Sequence, residues 1–596
     1  MTGRMIYGIL VAIALAGCGA AVSDGSETGT ATESLPIGRI QGAEAISPYL
    51  DQRVEVQGVV TGNFVSGMDG FFMQDAVGED DGDPATSDGI FVVWPRGSTP
   101  KVRRGERVRV SGTVAEVAAG GGSQTTIQAS AVEVLGRGAA PVTTITQVPA
   151  RTEDWERLEG MWLRIDVPLT VSGNDGLLRY GELVTSFGPR LFTPTERHAP
   201  GSGTQTVDAD NARRRLVLDD NRSVEYPRSL WYLPEPLSAQ APLRSGSIVH
   251  GAEGILQHAW GWRLQLTEAF ERIEQAPRPP APELPDGLRV ASFNLFNWFN
   301  GDGKGHGFPT PRGAAGIGEM NRQRDKLVAA ILGIRPDIAA LMEVENDGFG
   351  RSSSLAQLVA ALNAQWPEGG YRLVDAGQGP GMDVIRVAMI YREGRVAPLG
   401  AAAATVEGAF SERHRAPLAQ AFELRQGGAR LVVVANHFKS KGCTEAEAAD
   451  ADQRDGQSCW NASRVAAARA LDAWLKADPT GQASHGTVIL GDLNSYGRED
   501  PVRALIEAGW RDAFDPVGEA RPYSFNYRGF SGRLDHALLS AGLHERLRAA
   551  VEWHINADES EAFDFQTRNR DKAWYAPDPY RSSDHDPLVL VLDMGR

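Results

Sequence analysis

The sequence predicts an α/β domain in its C-terminal half behind a mostly β N-terminal half. The clearest boundary is Gln275-Ala276-Pro277-Arg278-Pro279-Pro280-Ala281-Pro282, a stiff proline-rich linker. After it, strand-like apolar runs alternate with amphipathic helical stretches, the pattern of an α/β domain. Before it, the apolar runs are short, alternate with polar residues and are broken by glycine. At 596 residues the chain exceeds one hydrophobic core and divides into several domains.

In chain order, Arg4 precedes an apolar stretch from Ile6 to Ala16 that is too short to span a bilayer and reads as the core of a signal peptide, residues 1–17. Leu15-Ala16-Gly17-Cys18 resembles a bacterial lipobox. That resemblance implies cleavage before Cys18 and lipid attachment to its thiol, and Gly19 is compatible with sorting to an outer membrane. An ordinary signal peptide with an incidental cysteine is the alternative. Residues 18–35, rich in Gly, Ser, Thr and Ala, read as a flexible tether. The expected location is the cell envelope, as an outer-membrane lipoprotein, or the extracellular medium.

Residues 36–140 read as one β domain. Val54–Val60 and Val108–Val114 alternate and carry interior glycines, and Gly89–Trp94 is a further strand. Short, Gly-broken strands of this kind suit a small barrel such as an OB-fold. The acidic stretch Gly78–Asp88 reads as a solvated loop without the spacing of an EF-hand. Residues 141–275 continue in β character, with strands expected at Met161–Ile165, Ile248–Gly251 and Trp260–Leu266. The aromatics there serve a core, since no basic groove accompanies them; stacking of nucleobases is the alternative.

After the linker (276–287), the domain at 288–594 opens. Asn321–Ile334 has a helical apolar face that Arg335-Pro336 ends, Ile338–Met342 follows as a buried strand, and Leu431–Ala435 and Thr487–Leu490 are further strands. Ala462–Lys476 is a second helix, with Val465, Ala468, Leu471 and Leu475 on one face.

Polar clusters punctuate this domain, most of them directly after a strand-like run. They are Ser292-Phe293-Asn294, Met342-Glu343-Val344-Glu345-Asn346, Asn436-His437-Phe438-Lys439-Ser440-Lys441, Gly491-Asp492-Leu493-Asn494-Ser495, Leu534-Asp535-His536 and Ser582-Ser583-Asp584-His585-Asp586-Pro587. Carboxylates, carboxamides and imidazoles at neighbouring strand ends can converge on one cleft and hold a hard divalent cation and a phosphate ester. Glu343 follows an apolar run, where an unpaired carboxylate is costly; a metal ion removes that cost, and an ion pair with an arginine is the alternative.

These clusters resemble the endonuclease/exonuclease/phosphatase superfamily, the fold of pancreatic-type deoxyribonuclease, over residues 288–594. Asn436–Gly442, the cysteine pair and Cys459-Trp460-Asn461 are similar to bacterial extracellular endonucleases, in which OB-like domains precede the catalytic one. The resemblance implies a four-layer α/β sandwich of two packed β-sheets. It implies metal-side roles for Asn294, Glu343 and Asp584, with Mg²⁺ as the expected ion and Mn²⁺ or Ca²⁺ as alternatives. Asp492 would position the attacking water and Asn494 a non-bridging oxygen. His585 would face the phosphate, oriented by Asp535, and His437 would be the second imidazole, with the acid and base roles left open between them. Asn294, Asn494, Lys439 and Lys441 would hold the substrate phosphate.

Of the three cysteines, Cys443 and Cys459 lie close together in a chain expected to leave the cytoplasm, and a disulfide between them is the expectation; half a zinc site lacks nearby ligands. The net charge of −16 excludes a generally basic nucleic-acid binder. Any basic footprint is local, around Arg322, Arg324, Lys326, Arg413, Arg415, Lys439, Lys441 and Arg464. The Asp-x-His and Gly-Asn-His clusters of calcineurin-like phosphatases and the Gly-x-Ser-x-Gly elbow of serine hydrolases do not occur. The expected function is metal-dependent hydrolysis of phosphodiesters, with extracellular DNA as the substrate and RNA an alternative. A phosphatase or phospholipase C-type enzyme of the same fold, or a non-catalytic lipoprotein that binds nucleic acid, are the rivals.

Overall fold

The computed structural model describes residues 34–94, 101–377, 381–514 and 522–595. The signal peptide, Cys18 and nearly all of the tether lie outside the described residues. Among the described residues, no helix is long and apolar enough to cross a membrane.

The first strands, Arg53–Asn63, Gly70–Gln74, Gly89–Val93, Glu106–Ala119 and Gly122–Arg137, close into a barrel. Their alternation places Val56, Val60, Phe71, Met73, Ile90, Val108, Val110 and Ile127 inside. A nine-stranded sheet follows, with strands between Thr143 and Glu274. All three strands expected here are shorter than the sequence pattern indicates, the first beginning at Trp162 instead of Met161. The expected strand from Trp260 begins at Trp262, because Trp260 takes a left-handed φ of 59° and turns the chain together with Gly261. Gly251, at φ 69°, likewise ends the strand Ile248–His250.

The C-terminal half is a sandwich of two six-stranded sheets. At the centre of the first, Leu288–Trp298 and Ile338–Glu345 run parallel; at the centre of the second, Arg430–His437 and Thr487–Asp492 do the same. Each central strand is buried on both faces, which is why it reads as a nearly continuous apolar run. Along Arg430–His437, Leu431, Val433 and Ala435 point to the facing sheet, where they join Val290, Ala340 and Met389. Val432 and Val434 point outwards to Ala467, Ala468 and Leu471 of the helix Asn461–Lys476. On the far side, Leu327, Ile331 and Ile334 of the helix Ile317–Ile334 cover the first sheet. The layers therefore run helix, sheet, sheet, helix. That helix starts a turn before the expected Asn321, after Gly316, and buries Met320 as well.

The proline segment is packed between the halves. Pro279 O accepts from Trp553 Nε1 at 3.2 Å and from Tyr580 Oη at 3.0 Å, and Arg278 pairs with buried Glu559 at 2.7 Å. The apolar core under the nine-stranded sheet also continues across this junction, taking in Ala562 and Phe563, with Trp574 packed against it.

Candidate active site

The parallel strand pairs end at the same edge of the sandwich, and register alone brings several polar clusters together. His437 lies opposite Asp492 on the neighbouring strand, and Asp492 lies opposite Asp535 on the next. Gly491 is required at this crossing. Its φ is 135°, and a Cβ there would stand 2.0 Å from Asn436 O.

Glu343 reaches the cleft by a different device. Leu341 pairs with Ala388 and Val344 with Arg386, so two residues of one strand face a single residue of the other. In this bulge Glu343 takes a left-handed φ of 58°, which turns its side chain towards the cleft. Asn494 is held at φ 47° while its N–H donates to Asp492 Oδ1 at 2.8 Å. Its amide Nδ2 donates to Phe438 O at 3.1 Å.

The carboxylates and imidazoles form a chain of contacts. Asp535 Oδ2 lies 2.7 Å from His585 Nδ1 and accepts from Ser524 Oγ at 2.8 Å. His585 Nε2 is 3.9 Å from Asp492 Oδ2, which is also 3.4 Å from His437 Nε2 and accepts from Asn294 Nδ2 at 3.4 Å. The Phe525 ring lies 4.7 Å from the His585 ring. His437 Nδ1 and Asp535 Oδ1 are buried without a hydrogen-bond partner. Ser583 Oγ donates to Asn294 O at 2.7 Å, tying the Asp584-His585 loop to the first sheet.

Environment separates the two histidines. Burial, reinforced by Arg415 and His585, holds His437 well below an ordinary imidazole, so it is neutral at pH 7. Burial also opposes charge on His585, but Asp535 and Asp492 outweigh it and hold this ring well above the ordinary value. Burial raises Asp492 above the ordinary carboxylate range. Burial and the nearby Asp584 raise Glu343.

These groups line a cleft of about 1470 Å³ that holds Glu343, His437, Asp492, Asn494, Asp584 and His585 together. Lys439 lies on its rim, with Nζ 5.2 Å from the Trp460 ring centre, and the Arg413 guanidinium is 4.5 Å from the same ring. Lys441 also lines the cleft, but its ammonium is paired with buried Glu499. Cys443 and Cys459 are joined in a disulfide that fastens the loop between them beside the cleft. Arg464 is buried inside that loop and donates to Cys459 O at 2.8 Å and Gln457 O at 3.0 Å.

The basic footprint is smaller than the sequence indicates. Lys326 is buried against Asp578, the Arg322 guanidinium sits 4.8 Å from the Tyr575 ring, and Arg324 pairs with Asp325. None of these three lines the cleft. Arg312, from an irregular loop, does line it, as do Phe525, Tyr527 and Phe530 of a hairpin and Thr193, Pro194 and Asp208 of the middle region. No local pattern marks these residues, because their place depends on how distant segments pack.

Among the described residues, no three His, Cys, Asp or Glu side chains converge as a ready metal cluster. The carboxylates of Glu343 and Asp584 both line the cleft, where Asp584 raises the proton affinity of Glu343 and the Asn294 carboxamide lowers it. A like-charged oxygen pair of this kind fits a hard divalent cation that takes its remaining ligands from water and substrate.

Residues 300–585 match the Endonuclease/Exonuclease/phosphatase family. This part of the chain is an endonuclease/exonuclease/phosphatase family domain. A family protein from Bacteroides thetaiotaomicron is 17% identical over 52% of this chain and 98% of its own, with a TM-score of 0.34. The human Nocturnin catalytic domain with bound sulfate is 15% identical over 52% of this chain and 98% of its own, at 0.33. D. rerio TDP2 complexed with a single-strand DNA product is 14% identical over 51% of this chain and 98% of its own, at 0.31. No curated protein matches the chain. The family comprises nucleases, phosphatases and other phosphodiesterases, and its fold is that of a hydrolase.

Proposed function

We propose that this endonuclease/exonuclease/phosphatase domain is a divalent-cation-dependent phosphodiesterase that cleaves nucleic acid, with extracellular DNA as its substrate. One observation carries this reading. Asp492 Oδ2 stands within 3.4 Å of His437 Nε2 and 3.9 Å of His585 Nε2, and Asp535 holds the far nitrogen of His585. A carboxylate between a neutral and a charged imidazole can orient a water molecule and balance the charge that builds on phosphorus.

Glu343, Asp584 and Asn294 would hold the cation, with Mg²⁺ the expected ion. When bound, it supplies Lewis-acid neutralisation of the phosphate. Asp492 aligns the attacking water. His585, kept protonated by Asp535, faces the non-bridging oxygens, and neutral His437 closes the other side. Asn494 and Lys439 steady the phosphate. Arg413 and Lys439, both packed on the buried Trp460 ring, supply backbone contacts, and exposed Tyr527 on the hairpin supplies a stacking face, an arrangement suited to a polymeric substrate.

Incubating the purified protein with supercoiled plasmid, linear DNA, RNA and a phosphomonoester, with Mg²⁺ and with chelator, tests the reading. Chelator-sensitive cleavage of DNA is expected; release of phosphate from the monoester alone would replace it with a phosphatase. The N-terminal segment supports export as a Cys18-lipidated envelope protein, and radiolabelled palmitate incorporation that disappears in Cys18→Ala tests that proposal.

A further inference from the structure

A four-residue segment of the middle region, Thr193 to Glu196, is built into the catalytic edge although it lies outside the family domain. The short strand Leu191–Phe192 adds in parallel to Phe530–Gly532, and the Thr193 N–H extends the pairing to Ser531 O at 2.9 Å. Glu196 then enters between two catalytic segments. Its Oε2 accepts the N–H of Gly497 at 3.0 Å and that of Arg533 at 2.8 Å, and its Oε1 meets Arg533 Nε at 3.2 Å. Gly497 belongs to the loop that carries Asn494, and Arg533 leads directly into Asp535. One carboxylate thus fixes the loop behind Asp492 against the start of the Asp535 strand. A Cβ at position 497 would stand 2.7 Å from Glu196 Oε1, so any side chain there would have to displace the Glu196 carboxylate.

The neighbouring threonine acts on a second residue that lines the cleft, Lys441. Thr195 Oγ1 donates to Glu499 Oε1 at 2.9 Å, and the other oxygen of Glu499 holds Lys441. The Arg498 N–H donates to Thr195 O at 2.9 Å, which locks the two segments in register. Glu196, Glu499 and Arg533 are all buried. Buried charges of this kind are stable only when every partner is in place, so the position of the catalytic loop depends on the middle region being docked.

We propose that Thr193–Glu196 is a positioning clamp for the catalytic loop, with Glu196 as its central residue. The functional unit then extends beyond the family domain into the region between residues 141 and 275, through the small sheet that Leu191–Phe192 forms with Phe530–Gly532. The effect on turnover rests on the phosphodiesterase reading; the effect on loop order does not.

The test uses the full chain with Glu196→Ala, Glu196→Gln and, as a comparison, Asp219→Asn. Asp219 is buried against Arg263 within the middle sheet and does not line the cleft. Displacement of a catalytic loop by about 1 Å costs on the order of 100-fold in rate. Glu196→Ala is therefore expected to lower kcat by roughly 10- to 100-fold with little change in KM. Glu196→Gln keeps an oxygen that can accept both N–H groups and is expected to restore most of kcat. Asp219→Asn is expected to lower stability and leave kcat unchanged. Amide hydrogen exchange across 492–499 is expected to quicken in Glu196→Ala and to stay as in the native protein in Asp219→Asn.

Native kcat and native exchange in Glu196→Ala would overturn the proposal. So would equal losses in the alanine, glutamine and Asp219→Asn proteins, which would reduce Glu196 to a stabilising residue. If Glu196→Ala does not fold, Thr195→Val takes its place: slower turnover or faster exchange across 492–499 supports the clamp, and native values of both overturn it. If the native protein cleaves no phosphodiester, the functional reading fails while the exchange measurement still decides the clamp.

Discussion

Asp535 opens a strand of one sheet, His585 lies in the loop that leads into the strand Leu588–Leu592 of the other, and their side chains meet at 2.7 Å over the cleft. The contact joins the two sheets and sets the orientation of the His585 ring. Asp535→Asn is expected to keep the fold and lower kcat by about 10²- to 10⁴-fold, the range of a positioned acid–base group. Steady-state kinetics with circular dichroism checks this, and a kcat within threefold of the native enzyme would refute it.

His437→Ala and His585→Ala are each expected to remove most DNA cleavage, because the neutral ring and the charged ring flank Asp492 in different protonation states and neither can replace the other. The double variant is expected to be scarcely worse than either single one, as for groups that act as a unit. Multiplicative losses would show that the two imidazoles act independently.

Glu343→Gln removes one of the two carboxylates that meet at the proposed cation site. The Mg²⁺ concentration for half-maximal activity is expected to rise at least about 10-fold. Isothermal titration of the protein with Mg²⁺ alone gives the same comparison without turnover, and unchanged binding would remove Glu343 from the site.

The Cys443–Cys459 bridge closes a loop between residues separated by 16 positions. In the chain-entropy model a loop of this size contributes about 3 kcal/mol. Reduction is expected to lower the denaturation midpoint and to weaken substrate binding, because Gly442, Cys443 and Ser458 line the cleft. Urea titration and KM with and without reductant measure both effects.

Acid is expected to loosen the junction between the middle region and the catalytic sandwich. Burial alone would raise Asp558, but Arg190 and Arg244 outweigh it and hold its carboxyl below the ordinary value of 3.8. A carboxylate with a depressed folded-state pKa adds stability that is present above the unfolded value and lost as pH falls through the folded one. The native protein is therefore expected to lose stability below about pH 4 in a step that Asp558→Asn lacks. Unfolding midpoints measured from pH 6 down to acid decide it.

The sandwich was legible because doubly buried strands such as Leu431–Ala435 read as apolar runs and because their polar ends follow at once. The register of His437, Asp492 and Asp535 then needed only strand adjacency. The bulge at Glu343 was not legible, since nothing local announces a left-handed glutamate inside a strand. The basic residues were misjudged for a related reason: Lys326 and Arg322 lie on a helix whose exposed face carries Asp578 and Tyr575 from elsewhere in the chain. Arg312, Tyr527 and Glu196 reach the site from loops and from another region, and no spacing rule connects them to it.

The mixed core beneath the nine-stranded sheet has a consequence for how the chain is made. Trp155 and Leu264 are packed in a cluster that Phe563 completes and Trp574 covers, both supplied from far downstream. A nascent polypeptide that has emerged only as far as the proline stretch holds that cluster with one side open to water. Its early half waits, apolar and unsealed, until translation has delivered the late half that closes it.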